Sequence, residues 1–139
     1  MNINIKKGHP DAVIPTYGTE GAACFDITAI EGGLLNPTFI AATGLYFEIP
    51  KEHVMLVFSR SGMGFKDDVR LSNCVGVIDS DYRGELKVKL KADGDRKQCT
   101  KGDRIAQGIV LPYKQVQFIL ADKLDDTQRG AGGFGSSGK

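Results

Sequence analysis

A carboxylate at the end of an apolar run is the first group in this sequence that could do chemistry. Asp79 directly follows Val75–Ile78, a run that predicts a buried or edge strand. A carboxylate that loses water at such an edge can take a proton from a water molecule, so Asp79 is a candidate general base. The alternative is structural, because Asp81 and Gly84, just beyond it, are typical of a turn.

A second segment combines groups that bind phosphate. Ser59, Arg60, Ser61 and Gly62 offer a guanidinium, two hydroxyls and flexible backbone, which suits a polyphosphate. The same four residues also fit an ordinary turn from a strand into a short helix, with Ser59 or Ser61 as the helix cap.

The glycine-rich end of the chain is the third candidate. Residues 130–138 contain five of the 18 glycines, and their spacing satisfies a dinucleotide-binding fingerprint. That fingerprint needs a strand before it and a helix after it, so we do not expect it to act as one here. Two interpretations stay open: a phosphate-binding lid in which Phe134 stacks on a base, or a flexible end.

Short strands must position these groups. Residues 85–91 alternate strictly, with Leu86, Val88 and Leu90 on one face. Other apolar runs separated by turn signals predict strands at residues 3–5, 23–27, 45–49, 54–58, 75–78, 105–111 and 116–120, and one short helix over residues 61–66. The pattern predicts an all-β sandwich, jelly roll or barrel over residues 1–121, followed by a flexible arm over residues 122–139.

Composition excludes several other classes of protein. The 139 residues include 18 Lys and Arg against 17 Asp and Glu, a net charge of +1 that argues against nucleic-acid binding. The absence of a long apolar run or a signal core predicts no membrane association and a cytoplasmic location. Cys24, Cys74 and Cys99 are too widely spaced for a disulfide ladder, and His9 and His53 fit neither a zinc site nor a Ser-His-Asp triad.

Five segments carry these residue types in a fixed order. Residues 21–26, 60–62, 76–84, 102–107 and 129–136 read Gly-Ala-Ala-Cys-Phe-Asp, Arg-Ser-Gly, Gly-Val-Ile-Asp-Ser-Asp-Tyr-Arg-Gly, Gly-Asp-Arg-Ile-Ala-Gln and Arg-Gly-Ala-Gly-Gly-Phe-Gly-Ser. In this order they resemble the five motifs of the trimeric deoxyuridine triphosphatases (dUTPases), a similarity that extends from Gly21 to the end.

The resemblance implies a fold, an assembly and an activity. The fold would be a distorted jelly-roll β-barrel that forms a homotrimer, with active sites between subunits and the arm closing over a neighbour's site. The activity would be Mg²⁺-dependent hydrolysis of dUTP to dUMP and pyrophosphate, which keeps uracil out of DNA and supplies dUMP for dTMP synthesis.

The resemblance also implies roles for individual residues. Asp79 would activate the water that attacks the α-phosphorus, and Asp26 would contact Mg²⁺ through water. Asn73 and the backbone as far as Val77 would read uracil, and Tyr82 would lie against the deoxyribose and exclude a 2′-hydroxyl. The remaining substrate-binding positions are Arg60, Ser61, Gly62 and Gln107 for the phosphates, and Arg129, Phe134, Gly135, Ser136 and Ser137 in the arm.

Three positions depart from the family pattern. Ser59 stands where proline is usual, which predicts a less rigid approach to Arg60. Gly108 stands where a larger apolar residue is usual, which predicts looser packing behind Gln107. Cys74 lies in the base-reading segment, and we expect its side chain to point away from the base.

Two alternative functions remain open at this stage. A dCTP deaminase, or a bifunctional enzyme that also releases pyrophosphate, shares the fold but uses a glutamate and a differently built base pocket. A regulatory nucleotide-binding protein would keep the trimer and the pocket but act through a second protein. The set of Asp79, Arg60, Gln107 and Arg129 favours a working hydrolase.

Overall fold

A computed structural model of the chain describes residues 1–94 and 97–136. The described part forms ten strands and one helix, in the following order: β1 (Asn4–Lys7), β2 (Phe25–Thr28), β3 (Gly33–Leu35), β4 (Thr38–Glu48), β5 (His53–Phe58), α1 (Ser61–Asp67), β6 (Val69–Leu71), β7 (Val75–Ile78), β8 (Glu85–Ala92), β9 (Lys97–Cys99) and β10 (Arg104–Pro112).

The strands pair antiparallel in two four-stranded sheets and one two-stranded sheet. One large sheet has the order β1-β4-β8-β6, the other has the order β2-β10-β5-β7, and β3 pairs with β9. The predicted all-β class with one short helix is confirmed. A single hydrophobic core takes side chains from both large sheets, including Ile27, Leu45, Met55 and Ile105, each of which is fully buried.

Strict alternation along β8 shows how the sequence builds this core. Leu86, Val88 and Leu90 are buried, whereas Lys87 and Lys89 between them are exposed. Because a buried Leu or Val side chain contributes about 1.5–3 kcal/mol relative to an exposed one, a shift of register by one residue would be costly.

A bulge interrupts the pairing of β4 with β8. The register shifts between Ala42 and Tyr46, and Gly44 within the bulge has a φ of 65°. The Thr43 hydroxyl is buried and donates to the Leu86 carbonyl at 2.6 Å, so a side-chain hydrogen bond joins β4 to β8 within the bulge.

The sequence prediction failed at three kinds of segment. The three-residue strands β3, β6 and β9 are not predicted, because each is too short for its alternation to be recognised. The strand predicted at residues 45–49 covers only the last part of β4, which begins at Thr38. The strand predicted at residues 116–120 is wrong: that segment has no regular structure, and Phe118, Ile119 and Leu120 are almost fully exposed. Its alternation suits a strand, but in the single chain no sheet edge pairs with it.

The described structure bears on two further expectations. Its one helix has seven residues, too few to cross a membrane. All three cysteines are free thiols: Cys99 is buried, Cys24 is half-buried and Cys74 is exposed. Burial of Cys99, with Asp103 and Glu31 adding negative charge nearby, raises the pKa of its thiol to about 11.

The difference in burial predicts very different reactivities for the thiols of Cys74 and Cys99. In the folded protein at pH 8, we expect iodoacetamide to modify Cys74 rapidly and Cys99 hardly at all, because the thiolate is the reactive species and Cys99 is both buried and protonated. Peptide mass spectrometry after timed labelling measures both rates, and labelling in urea is the control. Equal rates in the native state would contradict the burial of Cys99.

Candidate active site

Asp26, on β2, lies between two arginines at one end of the second large sheet. Arg60 follows β5 and donates from Nε to Asp26 Oδ1 at 2.9 Å, and Arg104 on β10 donates from Nη1 to Asp26 Oδ2 at 2.9 Å. Arg60 Nη1 also donates to the Arg104 carbonyl at 3.1 Å. One carboxylate thus fixes two guanidinium groups, and the cluster keeps a net positive charge suited to an anion.

Gln107 belongs to the same end of the sheet. It pairs in register with both Asp26 on β2 and Phe58 on β5, so it lies in the middle of this row. Its Nε2 donates to the Ser59 carbonyl at 3.0 Å, which fixes the amide beside the residue that precedes Arg60. The structure therefore brings together Asp26, Arg60 and Gln107.

Ser59 gives this turn an anchor that a proline would not provide. Its hydroxyl accepts a hydrogen bond from the Leu71 backbone N–H at 2.9 Å and thereby joins the end of β5 to β6. This hydroxyl bond opposes the expected loss of rigidity at the position.

The helix-capping alternative for Ser59 and Ser61 is wrong. Arg60 is the N-cap residue of α1 and makes no side-chain capping bond. Ser61 is the first helical residue, and both Ser61 and Gly62 are exposed. Both residues are therefore open to solvent directly after Arg60 in the chain.

Phe25 corrects the expectation of loose packing behind Gln107. A Cβ placed on Gly108 would lie 2.6 Å from Cε2 and 2.7 Å from Cζ of the Phe25 ring, so the ring already occupies the space of the missing side chain. Phe25 is buried and precedes Asp26 directly. Gly108 and Phe25 are thus complementary in volume.

Two adjoining clefts lie along β7. The first, of about 360 Å³, is lined by residues that include Asn73, Gly76 and Val77. The second, of about 230 Å³, is lined by residues that include Asp79 and Tyr82. Both share Val77, Ile78, Leu86 and Lys87, so one continuous groove runs from Asn73 to Asp79.

A tight turn joins Asp79 to Tyr82 at the end of this groove. The Tyr82 N–H donates to the Asp79 carbonyl at 3.2 Å. Asp79 is exposed in the single chain, so the expected loss of water around its carboxylate is not provided by this chain alone. The reason is the position of β7, which lies at the edge of its sheet: among the described residues β5 is its only neighbour there, and Val77 is 60% exposed.

The backbone before β7 is unusual at Cys74. This residue has a φ of 64°, in the left-handed region that favours glycine, within a turn closed by its N–H and the Leu71 carbonyl at 3.2 Å. Asn73 and Cys74 are both exposed at the mouth of the groove.

The Arg60 cluster and the Asp79 end of the groove do not meet within one chain. Ile78 pairs with Met55 in the antiparallel ladder, so Asp79 comes opposite Val54, six positions before Arg60. At about 3.3 Å per residue, Asp79 and Arg60 are separated by about 20 Å. This distance is beyond the reach of an arginine side chain, and Arg60 lies instead at the Asn73 end of the groove.

The arm stays apart from both sets of residues. Tyr113 N–H donates to the Glu52 carbonyl at 2.9 Å, and the hydrogen bonds found for residues 114–136 all join residues 123–136 to one another, within the arm. Arg129 donates from Nε to the Gly132 carbonyl at 2.8 Å, while Phe134, Gly135 and Ser136 are exposed. Ser137 lies outside the described residues.

Sequence reasoning missed the role of one residue and the contacts of another. Arg104 lies within a recognised motif but has no role assigned from the sequence, and only its contact with Asp26 reveals one. The sequence places Ser59 in the candidate phosphate-binding segment, but it does not predict that its carbonyl and hydroxyl bind groups from two other strands. No local signal in the sequence identifies these distant partners.

Three comparisons with known proteins place the chain among relatives. A family model described as dUTPase matches residues 10–138. A deoxyuridine 5′-triphosphate nucleotidohydrolase of Nautilia profundicola is 43% identical over 142 residues, covering 100% of both chains, and one of Helicobacter pylori strain Shi470 is 41% identical, covering 99% of this chain and 97% of that one.

Solved structures share the fold. A mutant dUTPase of Staphylococcus bacteriophage 80alpha with dUpNHpp superposes with a TM-score of 0.92 at 24% identity, covering 99% of each chain. A mutant dUTPase of the Staphylococcus aureus phage phi11, described with a structural Mg(II) ion, has a TM-score of 0.80 at 21% identity and covers 88% of this chain and 98% of that one.

The Phe25–Gly108 pair can be tested by substitution. We expect Gly108→Ala to lower the free energy of unfolding by about 1–3 kcal/mol, because the added methyl group overlaps a buried ring. Combining it with Phe25→Leu should cost less than the sum of the two single changes. Urea denaturation measures both.

The matched control is Gly18→Ala, since a Cβ at Gly18 meets no atom within 4 Å. If Gly108→Ala were as stable as this control, the proposed complementarity of the Phe25 ring and Gly108 would be refuted.

Proposed function

The chain belongs to the dUTPase family and hydrolyses dUTP to dUMP and pyrophosphate, and we propose that Asp79 is the catalytic base in a site built from more than one copy of the chain. The observation that carries this proposal is the continuous groove along β7 that ends at Asp79 and Tyr82. It offers space for a base and a sugar, and a carboxylate where the α-phosphate would follow.

Uracil would bind at the Asn73 end of the groove. Uracil presents an N–H between two carbonyls, whereas cytosine presents an acceptor beside an amino group. Donors and acceptors that are fixed to pair with uracil would therefore be left without partners if cytosine bound. A side-chain amide such as that of Asn73 can turn over to suit either base. The backbone as far as Val77 therefore supplies most of the discrimination.

The proposed step is an in-line attack on the α-phosphorus. Asp79 accepts a proton from water, the water oxygen bonds to the α-phosphorus, and the bond from that phosphorus to the bridging oxygen breaks. The electron pair leaves with pyrophosphate. Arg60, Ser61, Gly62 and Gln107 would bind the phosphates and stabilise the charge that moves to the leaving group.

Those phosphate-binding residues would come from a different copy of the chain. A single nucleotide cannot contact Asp79 and Arg60 of the same chain across about 20 Å while its base occupies the Asn73 end, since that end is nearest to Arg60. A cyclic homotrimer, the assembly that the resemblance to the dUTPases implies, satisfies this geometry. In such a trimer the same contact between neighbouring subunits repeats three times and closes a ring.

The arm would complete the site as a lid. Arg129 and Ser136 supply donors for phosphate, Gly135 lets the backbone approach closely, and Phe134 would stack over the base. Residues 122–131 of the arm and residues 113–121 before it are all exposed, which agrees with an arm whose partner is another copy. Ordering it costs about 1–2 kcal/mol per residue in backbone entropy, which favours closure only with substrate bound.

Mg²⁺ is part of the proposal, and the residues fit an ion held through water. Both oxygens of Asp26 already accept hydrogen bonds from arginines, and the described residues contain no cluster of three His, Cys, Asp or Glu arranged for a metal. Mg²⁺ retains water and binds triphosphates readily. It would supply charge neutralisation on the phosphates.

Three free thiols support a cytoplasmic location as part of the same proposal. Cys24, Cys74 and Cys99 are all unpaired, as expected for a protein kept in a reducing compartment.

The role of Asp79 predicts a specific loss of rate. Asp79→Asn keeps the shape of the side chain but cannot accept a proton, so kcat for dUTP should fall by about 10²–10⁴-fold. Pyrophosphate release measures the rate, and calorimetric titration with dUpNHpp should show that binding is retained. Glu20→Gln, a change of the same kind at an exposed residue outside the groove, is the control. An Asp79→Asn variant that turns over like this control would refute the assignment.

A shared site predicts complementation between two inactive variants. Asp79→Asn and Arg60→Ala should each be inactive alone. In a co-expressed equal mixture of the two variants, about a quarter of the sites should combine an intact Asp79 from one copy of the chain with an intact Arg60 from another, so about a quarter of the wild-type activity should return. Activity per trimer, with the assembly verified by light scattering, is the measurement. A mixture no more active than its components would mean that each chain builds its own site.

A further inference from the structure

Tyr82 is held in place before any substrate binds. Its backbone is fixed by the turn from Asp79, and its hydroxyl donates to the Glu85 carbonyl at 3.1 Å. Arg83 tightens the same turn, since its Nη1 donates to the carbonyls of Ser80 at 2.8 Å and Tyr82 at 3.0 Å. The phenol ring is thus folded back over the chain that follows it.

Gly84 makes this folded position possible. A Cβ at residue 84 would lie 2.5 Å from Cζ and 2.8 Å from Cε2 of Tyr82 and would overlap the hydroxyl oxygen. The ring therefore occupies the volume that any side chain at position 84 would need. With a larger residue the hydroxyl could not reach the Glu85 carbonyl in this geometry.

Glu85 anchors the acceptor to the body of the sheet. Its Oε1 accepts from the Gly44 backbone N–H at 2.9 Å, within the bulge of β4, and the next residue, Leu86, accepts from the Thr43 hydroxyl at 2.6 Å. The Glu85 side chain is only 19% exposed. The carbonyl that binds the Tyr82 hydroxyl thus belongs to a segment of β8 that two further hydrogen bonds join to β4.

We propose that Gly84 and Glu85 are positioning residues that set the selectivity of the enzyme for deoxyribose over ribose. This inference rests on the proposed contact between Tyr82 and the sugar. A ring anchored at its hydroxyl cannot swing aside to admit a 2′-hydroxyl, whereas an exposed and unanchored aromatic changes rotamer within nanoseconds. An apolar surface that can yield rejects an added hydroxyl only weakly, by about 10²-fold.

The test compares kcat/KM for dUTP with kcat/KM for UTP. We expect Gly84→Ala to lower the ratio of these values by about tenfold or more, because the displaced ring leaves space beside C2′. Tyr82→Phe, which keeps the ring and loses the bond to Glu85, should lower the ratio less. Gly18→Ala, placed in open space, is the control.

Substitutions of Glu85 provide an independent test. Glu85→Ala removes the acceptor for Gly44 and should lower the ratio, whereas Glu85→Gln keeps a carbonyl oxygen at that position and should restore it. A purely structural defect lowers both kcat/KM values together and leaves their ratio unchanged. Circular dichroism and thermal melting check that each variant folds, and if Gly84→Ala does not, Tyr82→Phe and the two Glu85 variants decide.

Tyr82→Ala separates failure of this inference from failure of the proposed function. If Tyr82→Ala leaves the dUTP/UTP ratio unchanged, the contact of Tyr82 with the sugar is wrong and this inference falls with it. If Tyr82→Ala lowers the ratio while Gly84→Ala and Glu85→Ala match the wild type, the sugar contact stands and the positioning role is overturned.

Discussion

The antiparallel pairing of β5 with β7 controls where this molecule can do chemistry. Because the two strands run in opposite directions, the residues that follow them leave from opposite ends of the ladder: Arg60 at one end and Asp79 at the other. No rearrangement of side chains can bring these groups together while the ladder is intact. The proposal of a site shared between copies of the chain therefore follows from strand direction, and Asp79 and Val77 are both exposed in the single chain.

Positive charge is concentrated at one point of this fold, beside Asp26. The chain as a whole is nearly neutral, with 18 basic and 17 acidic side chains, and so has little general attraction for polyanions. Asp26 concentrates two guanidinium groups at one point, where a single carboxylate orients both and leaves one unit of positive charge uncompensated. Such a cluster suits a small, strongly charged ligand.

Sequence reasoning succeeded where structure depends on residues close together in the chain and failed where it depends on distant ones. Strict alternation identified β8, and the run before Asp79 identified β7 at its true bounds, because periodicity of two is a local property. Strands β3, β6 and β9 have too few residues to show a period, and residues 116–120 have the right pattern without a partner in their own chain. Residue types alone indicated Asp79, the segment from Ser59 to Gly62 and the glycine-rich end, and the resemblance added the remaining motif residues. The contacts of Arg104 with Asp26 and of Gly108 with Phe25, however, join positions far apart in sequence. Folding alone brings such pairs together.

The turn from Asp79 to Tyr82 joins two functions in one small structural unit. A single backbone hydrogen bond of 3.2 Å spans the residue proposed to activate water and the residue proposed to inspect the sugar. A change in the backbone of this turn would shift both residues, so under the proposed roles the rate of hydrolysis and the preference for deoxyribose would change together.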